Sequence, residues 1–181
     1  GSALWPVSNW AIHFDPFRLA ITALMRFSPR RSLPPFGPSL RSWMSRRAAG
    51  SLRTNGPESL QERPTVLLMP DCFSQWSQPE VGRAAVEVLQ AFGYRVVLPN
   101  AGCCGRAAIS NGMLAEASRM SCETALALSD AMRREGAVAL LGLEPSCVSA
   151  IKDDWLDLKM SIDRKLLVAL AAKTFMIEEW I

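Results

Sequence analysis

The chain has 181 residues, 49% of them hydrophobic and 20% charged, with 20 Lys+Arg against 17 Asp+Glu. That length and apolar content suit a globular domain with a real core and exclude low-complexity disorder, and a net charge of +3 does not point to nucleic acid. The five Cys, odd in number and unevenly spaced, do not read as the disulfide framework of a secreted domain, so the expectation is a cytoplasmic protein with reduced thiols.

Charge divides the chain. Residues 1–64 carry nine Arg, no Lys and three acids, a net of +6, whereas residues 65–181 carry eleven Lys+Arg and fourteen acids, a net of −3. The first segment holds Trp5, Trp10 and Trp43, the prolines Pro34, Pro35 and Pro38, and no Cys. Gly1-Ser2, with no initiator Met, reads as a scar of tag removal, so the chain is expected to be a piece of something longer. Residues 10–27, interrupted by Asp15, Pro16 and Arg18, form an amphipathic helical stretch suited to packing on a neighbour. Arg26, Arg30, Arg31, Arg41, Arg46 and Arg47 read first as a solvated or interdomain face. The rival reading is a docking face for an acidic partner or, peripherally, a membrane surface. Residues 50–64 (GSLRTNGPESLQERP) have the composition of a linker. A connector over 1–64 and a domain over 65–181 follow.

From residue 65 the pattern alternates. Residues 65–69 (TVLLM), ended by Pro70-Asp71, read as a buried strand. Ser77-Gln78-Pro79-Glu80 has capping-box spacing, and Val81, Ala84, Ala85, Val88, Leu89 and Phe92 follow at helical spacing up to Gly93. A second strand covers 94–98 and a long helix 114–134, with Gly136 just beyond. A third strand covers 137–143, stopped by Glu144-Pro145. Helix is expected from about 146, and a final amphipathic helix from about 162 to 180. Apolar strands alternating with helices predict an α/β protein, a three-layer α/β/α arrangement around a short parallel sheet, preceded by the partly helical Pro/Arg-rich extension. The longest apolar runs, such as 137–141 and 166–172, fall far short of the ~20 residues of a membrane span.

Right-handed crossovers put the loops after the three strands along one edge, where such sheets bind ligands. Cys72 follows the first strand, Cys103 and Cys104 the second, and Cys147 the third. Three loops distant in sequence thus deliver four thiols to one rim, a reach that suits a metal or an iron–sulfur site, with Gly102 and Gly105 allowing tight turns around the vicinal pair. Separate reduced thiols are the bland alternative. Cys122, within the long helix, is expected to be a buried small hydrophobe.

The residues PDCF at 70–73, PEVGRAAVEVL at 79–89, GYRVVLPNAGCCGRAAIS at 93–110 and GLEPSC at 142–147 carry a resemblance. Over roughly 63–181 the chain resembles the cysteine-rich CCG domain of the glycolate oxidase iron–sulfur subunit and of the heterodisulfide reductase B-subunit. The local wording is nearest to the C-terminal part of FAD-linked oxidases of the D-lactate dehydrogenase type. The resemblance implies an electron-transfer module of a 2-hydroxy-acid oxidoreductase, in which thiolates hold an iron–sulfur cluster fed by a flavin. Cys72, Cys103, Cys104 and Cys147 match the ligand positions. The family pattern ends Cys-x-x-Cys, where this chain has Glu144-Pro145-Ser146-Cys147, so Glu144 stands as a substitute ligand. Carboxylate is a harder ligand than thiolate, which leaves open a four-thiolate cluster, zinc in its place, or a structural module whose thiols bind no metal. Partners implied by the resemblance are the other domains of a parent chain: an FAD domain, a ferredoxin-like domain and a second CCG copy.

Other signals are sparse. No Gly-rich nucleotide-binding motif follows a strand, and the sole imidazole, His13, is remote in sequence from every Cys. Asp153, Asp154 and Asp157 read as the solvated side of a helix. Thiol–disulfide chemistry at Cys103-Cys104 is disfavoured, because bridging adjacent residues closes a strained ring.

Overall fold

A computed structural model describes residues 5–26, 28, 37–51 and 63–181. Gly1-Ser2, Arg30, Arg31, Pro34, Pro35 and most of the polar 50–64 stretch lie outside the described residues. The single helical stretch expected over 10–27 is two helices, α1 (Trp5–His13) and α2 (Asp15–Leu24). Pro16 lacks an N–H and fits only the first turn of a new helix, which is where it sits. Trp10 and Phe14 stack with ring centroids 5.4 Å apart.

The three expected strands form as β1 (Thr65–Leu68), β2 (Arg95–Val97) and β3 (Ala139–Gly142), and a fourth, β4 (Thr174–Met176), joins them. All pairs are parallel, in the order β2-β1-β3-β4. The register sets Val66 against Val96 and Ala139, and Leu141 against Phe175. β4 corrects the expected continuous helix over 162–180. Helix α9 (Arg164–Ala172) stops at Lys173, the buried Thr174 hydroxyl bonds back to the Leu170 carbonyl, and 174–176 supply the ladder that β3 needs on its open side.

Alternation along the strands builds the two outer layers. Leu67 and Leu140 pack with Ala125 and Leu128 of α6 (Leu114–Glu135) and with Leu167 and Leu170 of α9. Val66, Leu68, Ala139 and Leu141 pack on the opposite face with Ala85, Val86 and Leu89 of α4 (Pro79–Ala91). This is the α/β/α sandwich expected. The four strand leucines are fully buried, each worth ~1.5–3 kcal/mol of transfer free energy.

Helix α4 starts differently from expectation. Ser77 closes a wide π-type turn (Phe73–Ser77), and Gln78 is the N-cap without a side-chain capping bond, so the expected capping box is absent. Pro79 and Glu80 still suit the first turn. Helix α3 (Leu40–Ser51), upstream of the expected domain boundary, lies on α4. Leu40 is fully buried there, in space left by Gly82, where a Cβ would stand 2.5 Å from Leu40 Cδ2. Gly37 N–H bonds to the Trp76 carbonyl, and Arg47 pairs with Glu87 at 3.4 Å. Among the described residues no helix is long and apolar enough to cross a membrane.

Candidate metal centre

β1 lies between β2 and β3, so the loops that leave the three strands meet above its carboxyl end. The first loop is folded by Asp71. Its buried carboxylate accepts the backbone N–H groups of Phe73 and Ser74, both at 2.9 Å, and the Ser74 hydroxyl. This turns the chain sharply after β1 and sets Cys72 at the head of the π-type turn.

The second loop is pinned from below. The Cys103 carbonyl accepts the Thr124 hydroxyl at 2.8 Å, and the Cys104 carbonyl accepts both the Ser121 hydroxyl at 3.0 Å and the indole N–H of the fully buried Trp155 at 2.9 Å. Gly105 then turns at φ +79°. A Cβ there would stand 2.6 Å from Ser121 Oγ and 3.2 Å from the Ala117 carbonyl, so only glycine fits. The next helix, α5 (Arg106–Ser110), is tied by an ion pair from Arg106 to Asp154, in the helical segment 150–154 downstream of Cys147. Asp154 therefore joins the helix after the Cys103-Cys104 loop to the helical segment after Cys147 and is not a merely solvated charge.

The third loop enters α7 (Pro145–Ser149), which carries Cys147. Glu144 is its N-cap, accepting the Ser146 hydroxyl at 2.8 Å and the Ser146 N–H at 3.4 Å. Its carboxylate is thus engaged by the helix start, and Glu144 is not among the residues that line the cavity described below.

The four strand-end thiols come together at one cavity. Cys104 Sγ lies 3.1 Å from Cys147 Sγ, and Cys72 and Cys103 line the same cavity as that pair. Cys104 and Cys147 are buried, Cys103 is half-buried and Cys72 is exposed. Cys122 is half-buried on α6, not in the core as expected. One position along a helix is a rotation of about 100°, which carries it off the stripe that buries Ser121, Thr124 and Ala125. His13 is exposed at the end of α1.

The thiols are not electrostatically alike. The hydrogen bond from Cys147 brings the Cys104 thiol down to about 6, helped by the Arg106 backbone N–H. Its partner Cys147 is held firmly protonated. Partial burial, then the neighbouring Cys103, push Cys72 up to about 11. Gly105 N–H also points at Cys103 Sγ at 3.5 Å. Backbone N–H groups directed at sulfur are one of the means by which a protein sets the potential of a thiolate-held cluster.

The thiols open onto a cavity of about 360 Å³ whose wall also includes Arg41, Asp71, Gln75, Trp76 and Asn100. Gln75 is buried, and its side-chain oxygen has no hydrogen-bond partner. Sequence reasoning missed Arg41, Gln75 and Trp76, because a lone cation, amide or indole carries no periodic or spacing signal.

The donor set is soft sulfur from three loops around an open space, with an orphaned polar atom in the wall. That chemistry fits a thiophilic metal group. Four thiolates around a single tetrahedral ion, with metal–sulfur bonds of ~2.3 Å, would stand ~3.8 Å apart, and a cluster spreads them wider. The Cys104–Cys147 contact is tighter than either and has to part for both sulfurs to bind. Among the described residues no three His, Cys, Asp or Glu side chains are gathered as around one ion.

The fold and rim together define a class: a parallel α/β domain with vicinal and strand-end cysteines at the carboxyl edge of its sheet. Residues 66–152 match the family model of the cysteine-rich domain called CCG. The chain is similar to the anaerobic glycerol-3-phosphate dehydrogenase C-subunit of Escherichia coli strain K12 and to that of Escherichia coli O157:H7. Each is 25% identical over 162 residues, covering 88% of this chain and 38% of the relative. The chain thus spans well under half the length of these relatives. No solved structure matches it.

Proposed function

We propose that the chain is an electron-relay module of a larger oxidoreductase, in which Cys72, Cys103, Cys104 and Cys147 hold an iron–sulfur cluster. The observation that carries this reading is the convergence of four thiols from three strand-end loops on one cavity. The CCG domain and the dehydrogenase-subunit relatives support it. The bound group supplies reversible one-electron transfer. The chain's own residues hold and tune it: Asp71, Ser121, Thr124 and Trp155 fix the loops, while the Gly105 N–H hydrogen-bonds the Cys103 sulfur.

In the parent protein an FAD domain takes the electron pair from a small hydroxylated anion and passes electrons to this module. Ferredoxin-like and second CCG domains continue the path. A 2-hydroxy acid such as lactate or glycolate is the proposed substrate class. Lactate shares with glycerol 3-phosphate, the compound in the relatives' name, a secondary alcohol beside an anionic group.

Anaerobic reconstitution followed by iron and sulfide analysis and electron paramagnetic resonance tests this. A stoichiometric cluster that is lost in the Cys103→Ser/Cys104→Ser double variant is the expected result. Absence of a cluster from the wild type, or its survival in the double variant, overturns it.

A second reading, a structural module holding zinc, is favoured by one observation: the 3.1 Å sulfur spacing of Cys104 and Cys147 is nearer to that of a single ion than to that of a cluster. Tight zinc binding with folding dependent on it identifies that case.

A further inference from the structure

We propose that Arg41, supplied by the N-terminal extension, and Gln75 are the outer partners of the thiolate centre, the guanidinium offsetting its negative charge and the side-chain amide hydrogen-bonding into it. This rests on the reading that the four thiols bind a metal group, and it brings a residue from outside the CCG domain into the site.

The first ground is the composition of the cavity wall. Arg41 is its cation and Asp71 its carboxylate. Both Asp71 oxygens are taken up by Phe73 and Ser74, so Arg41 shares the wall with the thiols and with no free carboxylate. Four thiolates exceed the charge of a divalent ion or of an ordinary cluster core, so the loaded site is anionic. An anion in a partly buried site is costly without a counter-charge.

The second ground is that Arg41 is held in place. One guanidinium nitrogen donates to the Pro99 carbonyl at 2.8 Å, at the start of the loop that leads to Cys103. The preceding residue, Leu40, is fully buried under Gly82, and Gly37 bonds to Trp76 on the same wall. A long flexible side chain is thereby restrained at both its base and its head.

The third ground is independent of charge. Gln75 is 6% exposed, lines the cavity, and leaves its amide oxygen buried with no partner. Such orphans in a folded protein call for a specific explanation. The oxygen and nitrogen of an amide exchange places by a half-turn. In the flipped orientation the NH₂, a donor, takes the buried position in the wall that Gln75 shares with the sulfurs, which are acceptors. An orphan acceptor beside a thiolate centre becomes a satisfied donor.

The sign of the effect follows from charge. The reduced centre carries one more negative charge than the oxidised centre. A fixed cation and a hydrogen-bond donor therefore stabilise the reduced form more and raise the midpoint potential.

The test uses the chain as Arg41→Gln, Arg41→Lys, Gln75→Leu and Gln75→Glu, read two ways. Titration with Co²⁺ alone, followed by its sulfur-to-metal charge-transfer absorption, is expected to show binding about tenfold weaker in Arg41→Gln, the loss of roughly one partly screened charge interaction. Arg41→Lys retains most of the affinity, and Gln75→Glu weakens it. In the anaerobically reconstituted protein, Arg41→Gln and Gln75→Leu shift the midpoint potential in the negative direction at unchanged iron content. Wild-type Co²⁺ affinity in both Arg41→Gln and Gln75→Glu, or an unmoved potential in Arg41→Gln and Gln75→Leu, overturns the proposal. If Co²⁺ binds with the expected ranking and no cluster forms, the iron–sulfur reading falls and this one stands. If the wild type binds neither, both fall. Should Arg41→Gln fail to fold, the Gln75 pair and Arg41→Lys still decide, since neither removes a charge that holds α3 in place.

Discussion

The sulfurs of Cys104 and Cys147 lie 3.1 Å apart, although the residues are 43 positions apart in sequence and leave from strands on opposite sides of β1. The pair acts as a single proton-sharing unit. The Cys147 S–H donates to Cys104, which holds Cys104 near 6 and keeps Cys147 protonated. In the reduced, metal-free protein, ultraviolet thiolate absorbance is expected to rise in a step near pH 6 in the wild type, and that step should be missing from Cys147→Ala. A wild type without a thiolate step below pH 8 would contradict the pairing.

The same shifts fix the sign of a pH effect on stability. Cys104 lies below its ordinary value of 9.0 when folded, so its contribution is fully present above pH 9.0 and is lost as pH falls through about 6. Cys72 lies above 9.0, at about 11. It contributes below pH 9.0, and that contribution is lost as pH rises through about 11. Denaturant titrations of Cys72→Ala against the wild type should therefore diverge less at pH 11 than at pH 8. An equal difference at both values would refute the assignment.

Oxidation should respect the geometry. Diamide, which takes up the two hydrogens released as two thiols join, is expected to link Cys104 to Cys147 in the metal-free protein. The adjacent Cys103-Cys104 ring is strained, and the two carbonyls of that pair are fixed by Thr124, Ser121 and Trp155. Peptide mapping reads the outcome directly. Predominant Cys103–Cys104 linkage would show that the rim is laid out differently.

Gly105→Ala tests the turn that presents the vicinal pair. A Cβ would collide with Ser121 Oγ and the Ala117 carbonyl at a φ of +79°. A loss of ~1–3 kcal/mol in chemical denaturation is expected, the usual cost of a residue held in an unfavourable backbone region. A stability within experimental error of wild type would mean that the loop can relax away from α6.

Leu40→Ala tests whether α3 is part of the body that bears the site. Leu40 is fully buried, and truncating such a side chain costs about 2–5 kcal/mol. Comparable stability in Leu40→Ala and the wild type would show that α3 does not contribute to the cooperative unit.

Much of this arrangement was legible in the sequence. The runs TVLLM and AVALLGL, each closed by proline, mark β1 and β3, and Gly93 and Gly136 adopt the positive φ that ends α4 and α6. Once the strands are parallel, the meeting of Cys72, Cys103, Cys104 and Cys147 at one edge follows from topology. β4 was not legible, because three residues at the end of an amphipathic pattern look like another helical turn until β3 claims them. The use of Glu144 as a cap was not legible either: its place in the cysteine motif suggested ligation, whereas its hydrogen bonds belong to Ser146. Arg41 and Gln75 reach the cavity only through tertiary packing, which no local spacing encodes.

X-ray absorption at the iron edge, on anaerobically prepared protein, is the most direct measurement of the central claim. An iron shell of sulfur neighbours together with iron–iron scattering, both abolished in Cys104→Ser/Cys147→Ser, is the predicted result. Iron with only oxygen or nitrogen neighbours, or a spectrum unchanged by losing those two thiols, would contradict it.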